Sequence, residues 1–300
     1  MIVERDALHR EFKKQDKKKP YPFDPESATE IARRVDQDRL LSSVLGGVFP
    51  EQLDISALTH VLDLGCGPGE WVQEAAWAYP EMEITGVDSG RITADYARAT
   101  AHVRHLENAT FLTMDICQPL DFSDASFDLV HAQQLAFLIP ANEWTQVLQE
   151  CRRVTHPGGI ICLTESEMSH TTSHAITTLQ ELFRKALKQT GWYVSPSGHQ
   201  LGITTRLGQL LRDVGCQHIE RQAHVLEWSV GTSEHWSWYQ QMLITLHTVR
   251  PFLLDNKVVT EKDLDCLSEQ IIIDILSENF AAIRFLLTCW GEVPLAIEQR

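Results

Sequence analysis

With 300 residues, 43% apolar and 22% charged side chains and a net charge of −15, the chain has the make-up of an ordinary globular protein. Its length suits one large α/β domain with insertions, or two domains. No apolar run reaches the roughly 18 residues of a membrane-spanning helix, and an acidic body repels a phosphate backbone, so membrane-embedded and nucleic-acid-binding classes are set aside.

The first twenty residues are polar and hold the basic cluster Lys13, Lys14, Lys17, Lys18 and Lys19, read as a solvated arm. No apolar segment of a secretory leader follows them, and the expected location is the cytoplasm. Between Ser27 and Leu45, Ile31, Val35, Leu40, Leu41 and Val44 recur at helical spacing up to Gly46-Gly47, which predicts an N-terminal helix. From residue 60 short β-rich runs alternate with helical ones. Strands are predicted at 60–64, 83–87, 109–113, 127–131 and 159–164, and helices near 69–79, 92–106 and 142–154. Such alternation marks a mostly parallel sheet covered by helices on both faces, a doubly wound α/β architecture.

Beyond Glu165 the rhythm breaks. A helix near 174–190, a Gly/Ser/Pro loop and a short helix in LGQLLRDVG precede a strand over 216–230. Helices near 232–249 and 260–278 then lead to an apolar last strand at 280–291. The stretches 166–203 and 232–278 are too long for plain loops and are expected to form helical lid or substrate-cap elements. The resulting division is an N-terminal arm and helical lid over 1–57 and a catalytic domain over 58–300. Seven cysteines, an odd number without a CxxC pair, read as reduced residues with neither disulfide nor zinc. No metal site is expected, since His102 and His105 lack a third ligand and Asp121, Asp124 and Asp128 fall in and near a turn.

The densest signal is VLDLGCGPGEW at 61–71, where Gly65, Gly67 and Gly69 separate a strand from a helix. Glycines there let backbone approach a ligand closely, and the helix start offers unpaired N–H groups to an anion. A dinucleotide fingerprint would need a third glycine at position 70, which is Glu70. The next strand ends in Val87-Asp88, a carboxylate suited to ribose hydroxyls, and the third leads into Asp115-Ile116, suited to an adenine ring.

Taken in order, VLDLGCGPG, GVDSG, MDICQPLDFSDASFDLVHAQ and ECRRVTHPGGIICLTE resemble the class I S-adenosylmethionine-dependent methyltransferases over about residues 58–165. The resemblance implies a seven-stranded Rossmann-like sheet with an antiparallel last strand and S-adenosylmethionine as cofactor. It implies that Asp63, Gly65, Cys66 and Gly67 hold the methionine portion, Asp88 with Ser89 the ribose, and Asp115 with Ile116 the adenine. Ala132 and Gln133 resemble the segment passing the transferable methyl, and Tyr21 is a further candidate contact from the N-terminal arm. For Asp63 the residue-level alternative is a carboxylate bonding the loop's own amides, and for Cys66 a small packing residue.

Methyl transfer from a sulfonium is an in-line displacement, and a base is required only where the acceptor must shed a proton. His170 and His235, both in lid segments, are the catalytic candidates, with His174, His199, Glu165 and Glu167 as rivals. Trp192, Tyr193, Trp228, Trp236, Trp238 and Tyr239 form either an aromatic pocket or the packing of the inserted helices. After the fourth strand the chain reads HAQQ, without the Asn/Asp-Pro-Pro-Tyr pattern of enzymes that methylate exocyclic amino groups, and it contains no Pro-Cys dipeptide. A small-molecule acceptor, with O, N or C receiving the methyl, is therefore expected, and a monomer or homodimer. Two alternatives are an NAD(P)-dependent oxidoreductase and a non-catalytic S-adenosylmethionine-binding protein.

Overall fold

The alternating runs fold at the positions their patterns predict. The structure, a computed structural model, describes residues 23, 26–192 and 195–295. Tyr21, Tyr193 and the basic cluster lie outside the described residues. Strands β1 (His60–Leu64), β2 (Glu83–Asp88), β3 (Ala109–Thr113), β4 (Phe127–Gln133) and β5 (Thr155–Ser166) are parallel, in the order β3-β2-β1-β4-β5. The N-terminal helix predicted from Ser27 is α1 (Ala28–Leu45). Helices α2 (Glu70–Ala78), α3 (Arg91–Val103) and α4 (Trp144–Val154) make crossovers in the parallel part.

The last strand, β8 (Ala282–Glu292), runs antiparallel to β5, from Ile160 opposite Glu292 to Ser166 opposite Leu286. Along its other edge lies β7 (Gln217–Glu227), also antiparallel. The sheet has eight strands where seven were expected. The addition is β6 (His170–Thr171), which pairs with Ile283 and Ala282. Two residues are too few to show an alternating pattern, and β6 forms because the chain, having left β5 at Ser166, returns to the same edge of β8.

The predicted insertions are helical. They hold α5 (His174–Gln189), α7 (His235–Asp255) and α8 (Glu261–Ile275), while α6 (Leu207–Asp213) precedes β7. Ser27, Ser173 and Thr260 cap α1, α5 and α8 by accepting the N–H of Glu30, Ile176 and Asp263. Helix α7 runs past its predicted end and through Pro251, because Phe252 and Leu253 are buried in the helical core and their packing offsets the ladder bond that proline cannot make. Among the described residues no helix is long and apolar enough to cross a membrane.

Two apolar clusters cover the sheet, one around Leu62, Leu148 and Leu163 and one around Trp71, Val72 and Ile84. A third, separate cluster joins Leu41 of α1 to Ile176 and Leu187 of α5, Trp228 just after β7, Trp238 and Leu253 of α7, and Ile271 of α8. The inserted helices and the N-terminal helix thus share one core beside the carboxyl ends of the strands. Replacing Leu187, which is fully buried there, by alanine should cost about 2–5 kcal/mol in urea unfolding.

Candidate active site

Strand β1 ends at Leu64, and the next residues turn tightly: Gly65, Gly67 and Gly69 have φ of +75°, +55° and +82°, the left-handed region where a side chain is strained. The N–H groups of Gly65 and Cys66 both donate to the carbonyl of Val87, at 2.8 and 2.9 Å, so the turn lies on the end of β2. The following residue, Asp88, is buried. Its Oδ2 accepts the Gly67 N–H at 3.0 Å and its Oδ1 accepts the Gly90 N–H at 2.8 Å.

Arg34 of α1 reaches this turn. Its Nη2 lies 3.4 Å from Asp88 Oδ2 and 3.4 Å from the Gly65 carbonyl. A methyl group on Gly67 would stand 2.5 Å from the same nitrogen, so the missing side chain leaves room for the guanidinium. One turn further along α1, Asp38 receives a long contact from Gln133 Nε2, at 3.5 Å. Neither Arg34 nor Asp38 was singled out from the sequence, because residues four apart with opposite charge on a helix look like an ordinary solvated pair.

Asp63, on β1, does not bond the amides of its own turn. Its Oδ1 accepts from His131 Nδ1 at 2.7 Å, and both side chains are buried. The carboxylate is acceptor only, so Nδ1 carries the hydrogen. The imidazole lies flat against Trp71, with centroids 3.8 Å apart and planes at 6°. His131 stands in the predicted fourth strand, yet a single histidine among apolar residues gave no signal of this pairing.

A chamber of about 180 Å³ opens between the glycine turn and helices α1, α5 and α7. It is lined by Asp63, Gly65, Cys66, Arg34, Asp38 and Gln133 and by a mostly apolar set, Phe137, Ile176, Leu179, Phe183, Met242 and Val249, together with Gln180 and Thr245. Burial pushes the Asp38 carboxyl up to about 7; Arg34 opposes that shift, and the charges of Asp63 and Glu70 add to it. The Cys66 thiol is pushed well up by burial and by Asp88 and Asp63, so it remains protonated.

Of the residues expected at the cofactor, Asp63, Gly65, Cys66 and Gln133 line the chamber, and Gly67 and Asp88 frame it behind Arg34. Ser89 is exposed beside Asp88, and Ala132 is buried within β4 opposite Leu64. Asp115 shapes its own turn through Oδ1 and the Cys117 N–H at 2.9 Å. Ile116 is buried and lies 3.9 Å from where a methyl on Gly65 would be.

The two candidate bases lie elsewhere. His170 is exposed on β6, its ring edge-on to Phe285 at 5.6 Å. His235 is buried at the start of α7, with Nδ1 3.1 Å from the Trp228 carbonyl and its ring among Trp236 and Phe280. Among the described residues neither lines the chamber, because β6 faces solvent and the start of α7 is sealed into the helical core. The rivals Glu165 and Glu167 hold backbone. Glu165, pushed up to about 8 by burial, accepts the Ala136 N–H at 3.1 Å, and Glu167 accepts the Gly202 N–H at 2.9 Å. Trp228 and Trp238 stack at 5.2 Å inside the helical core while Trp236 is 61% exposed, so the chamber's aromatic groups are Phe23, Phe137 and Phe183 instead.

Residues 61–159 match a family described as a methyltransferase domain. Over 115 residues the chain is 32% identical to an uncharacterized methyltransferase of Schizosaccharomyces pombe, covering 36% of this chain and 40% of that protein. Over 135 residues it is 30% identical to methyltransferase GfsG of Streptomyces halstedii, covering 44% of this chain and 47% of that one. The matches thus span less than half the length of these relatives. The YcgJ protein of Bacillus subtilis shares the fold, with a TM-score of 0.50 at 14% identity over 88% of this chain and 99% of that one. The glycine turn and the Asp88 carboxylate behind it both lie within the stretch that matches the methyltransferase domain.

Proposed function

We propose that the chain transfers the methyl group of S-adenosylmethionine to a hydroxyl or acidic carbon of a small molecule seated in the chamber, and that Asp38 takes the acceptor's proton. The observation that carries this reading is that the glycine turn, the mostly apolar side chains of α5 and α7 and a carboxyl of raised pKa all line one chamber. The turn fits the cofactor: a buried acid at the end of β2 suits ribose hydroxyls, and the chamber reaches the backbone of Gly65 and Cys66. In this reading Asp63, Gly65, Cys66 and Gly67 take the methionine portion, Asp88 and Ser89 the ribose, and Asp115 and Ile116 the adenine. Ala132 and Gln133 flank the methyl's path. Tyr21 belongs to the arm over 1–57, and the segments 166–203 and 232–278 form the cap.

When bound, the cofactor supplies a methyl already activated by its positive sulfur. What remains for the protein is alignment, exclusion of water and proton removal. The apolar wall excludes water from the acceptor. Asp38 is charged above about pH 7 and neutral below it, close to the pKa that serves a general base best at neutral pH. The Asp38 carboxylate would take the proton that the acceptor sheds as it receives the methyl.

Calorimetric titration with S-adenosylmethionine, S-adenosylhomocysteine and NAD⁺ tests the cofactor. Both adenosyl ligands should bind and NAD⁺ should not, and Asp88→Ala should weaken binding by about tenfold or more, the equivalent of a lost charge-assisted hydrogen bond. Binding of NAD⁺ alone would overturn the assignment. For Asp38, kcat should rise with pH through about 7, and Asp38→Asn should abolish that rise and lower kcat by about 10²-fold or more. Folding supplies an independent check. The Asp38 pKa is raised from 3.8 to about 7, so the folded state holds this proton more tightly, and the associated stability is lost as pH rises across that interval. Asp38→Asn should therefore melt above the parent protein at about pH 8, and the gap should narrow as pH falls toward the unfolded value of 3.8.

A further inference from the structure

The edge of β8 that pairs with β5 and β6 has a break, where β5 ends at Ser166 and β6 begins at His170. Arg284 stands at that break, between the pairings of Ile283 with His170 and of Leu286 with Ser166. Its side chain lines the chamber together with Met168 and Ser169 from the break itself. The guanidinium lies 5.1 Å over the Trp228 ring. Among the described residues it makes no ion pair, and its Nε is buried without a hydrogen-bond partner.

The charge that acts on it is of the same sign. It comes from Arg33, whose own fork is engaged by Glu30 at 2.7 and 2.6 Å and by Gln37 at 2.6 Å. Glu30 is thereby neutralised locally, and Asp38 lies at the Arg34 and Gln133 side. Burial lowers the Arg284 pKa to about 10, which still leaves it charged at neutral pH. A buried cation without a counter-ion is costly to the fold, and a guanidinium fork is shaped to hold a carboxylate through two parallel hydrogen bonds.

We propose that Arg284 binds a carboxylate of the methyl acceptor, so that the acceptor is an organic acid whose apolar body lies along Ile176, Leu179, Phe183 and Met242 with its reacting group toward Asp38. The proposal rests on the reading of this chamber as the acceptor site. It fixes orientation at both ends: the carboxylate at β8 holds one terminus, and the general base meets the other. The apolar wall between them sets length and bulk rather than hydrogen-bonding pattern.

The test is a titration of the full chain, free and saturated with S-adenosylhomocysteine, with two pairs of probes: 3-phenylpropanoate and its amide, and octanoate and its amide. Inorganic phosphate is a fifth titrant. In at least one pair the acid should bind about 10- to 100-fold more tightly than the amide, the range for a hydrogen bond to a charged group. Arg284→Met should erase that preference while leaving S-adenosylhomocysteine affinity unchanged, and Arg284→Lys should keep part of it. Equal affinity for acid and amide, no binding by either pair, phosphate binding as tight as the acids, or a preference that survives Arg284→Met would each overturn the proposal. So would a loss of S-adenosylhomocysteine affinity in Arg284→Met, which would assign the guanidinium to the cofactor. Thermal melting guards against misfolding: Arg284→Met should melt no lower than the parent, whereas a guanidinium that only packs on Trp228 would leave a less stable variant. Failure of S-adenosylhomocysteine to bind, with the acid preference intact, would remove the methyltransfer reading and leave the carboxylate site standing.

Discussion

One carboxylate holds the site together. Asp88 closes β2, and its two oxygens fix the glycine turn through Gly67 and the start of α3 through Gly90, while Arg34 brings α1 down on the same Oδ2. Three segments distant in sequence therefore meet at one buried side chain. The two N–H bonds to the Val87 carbonyl complete the clamp, so the conformation of the turn depends on β2 as much as on its own glycines. Any change that shifts the end of β2 moves the turn, α1 and the mouth of the chamber together.

The parallel half of the sheet was legible because each strand is a short β-rich run set off by a helical one, and tertiary packing followed that local preference. The glycine turn and its acidic partner were legible for a similar reason: the chemistry is carried by residues close together in sequence. The acceptor side was not. Its wall comes from α1, α5 and α7, and its polar groups Asp38, Gln133 and Arg284 lie on three different elements. Nothing in the sequence marks either charged residue: opposite charges four apart on a helix are an ordinary solvated pair, and a lone arginine in an apolar strand belongs to no motif. The fold brings Asp38 and Arg284 to one chamber, where Arg284 makes no ion pair among the described residues. The histidines failed for the opposite reason. His170 and His235 lie in the segments that form the cap, but a segment's position does not say which way a side chain faces.

The chamber is also where the fold sacrifices stability. Some buried polar groups are well matched, as in the Asp63–His131 bond under Trp71 or the Thr164–Thr288 hydroxyl pair between β5 and β8. At the chamber, burial pushes the Asp38 carboxyl up to about 7, and Arg284 rests on the Trp228 face with no ion pair among the described residues. Such local conflict is tolerated because the helical core behind it is large and apolar, with Trp228 and Trp238 stacked at its centre.

Strand β8 is bonded along one edge by β7 over nearly its whole length and along the other by β5 and then by β6. A strand held on both sides opens only when the whole sheet does. The segment that joins β5 to β6 is tied as well, with the Glu167 N–H on the Phe285 carbonyl and Ser169 accepting from Gln180. Arg284 therefore presents its charge to the chamber from a position that the sheet has already set.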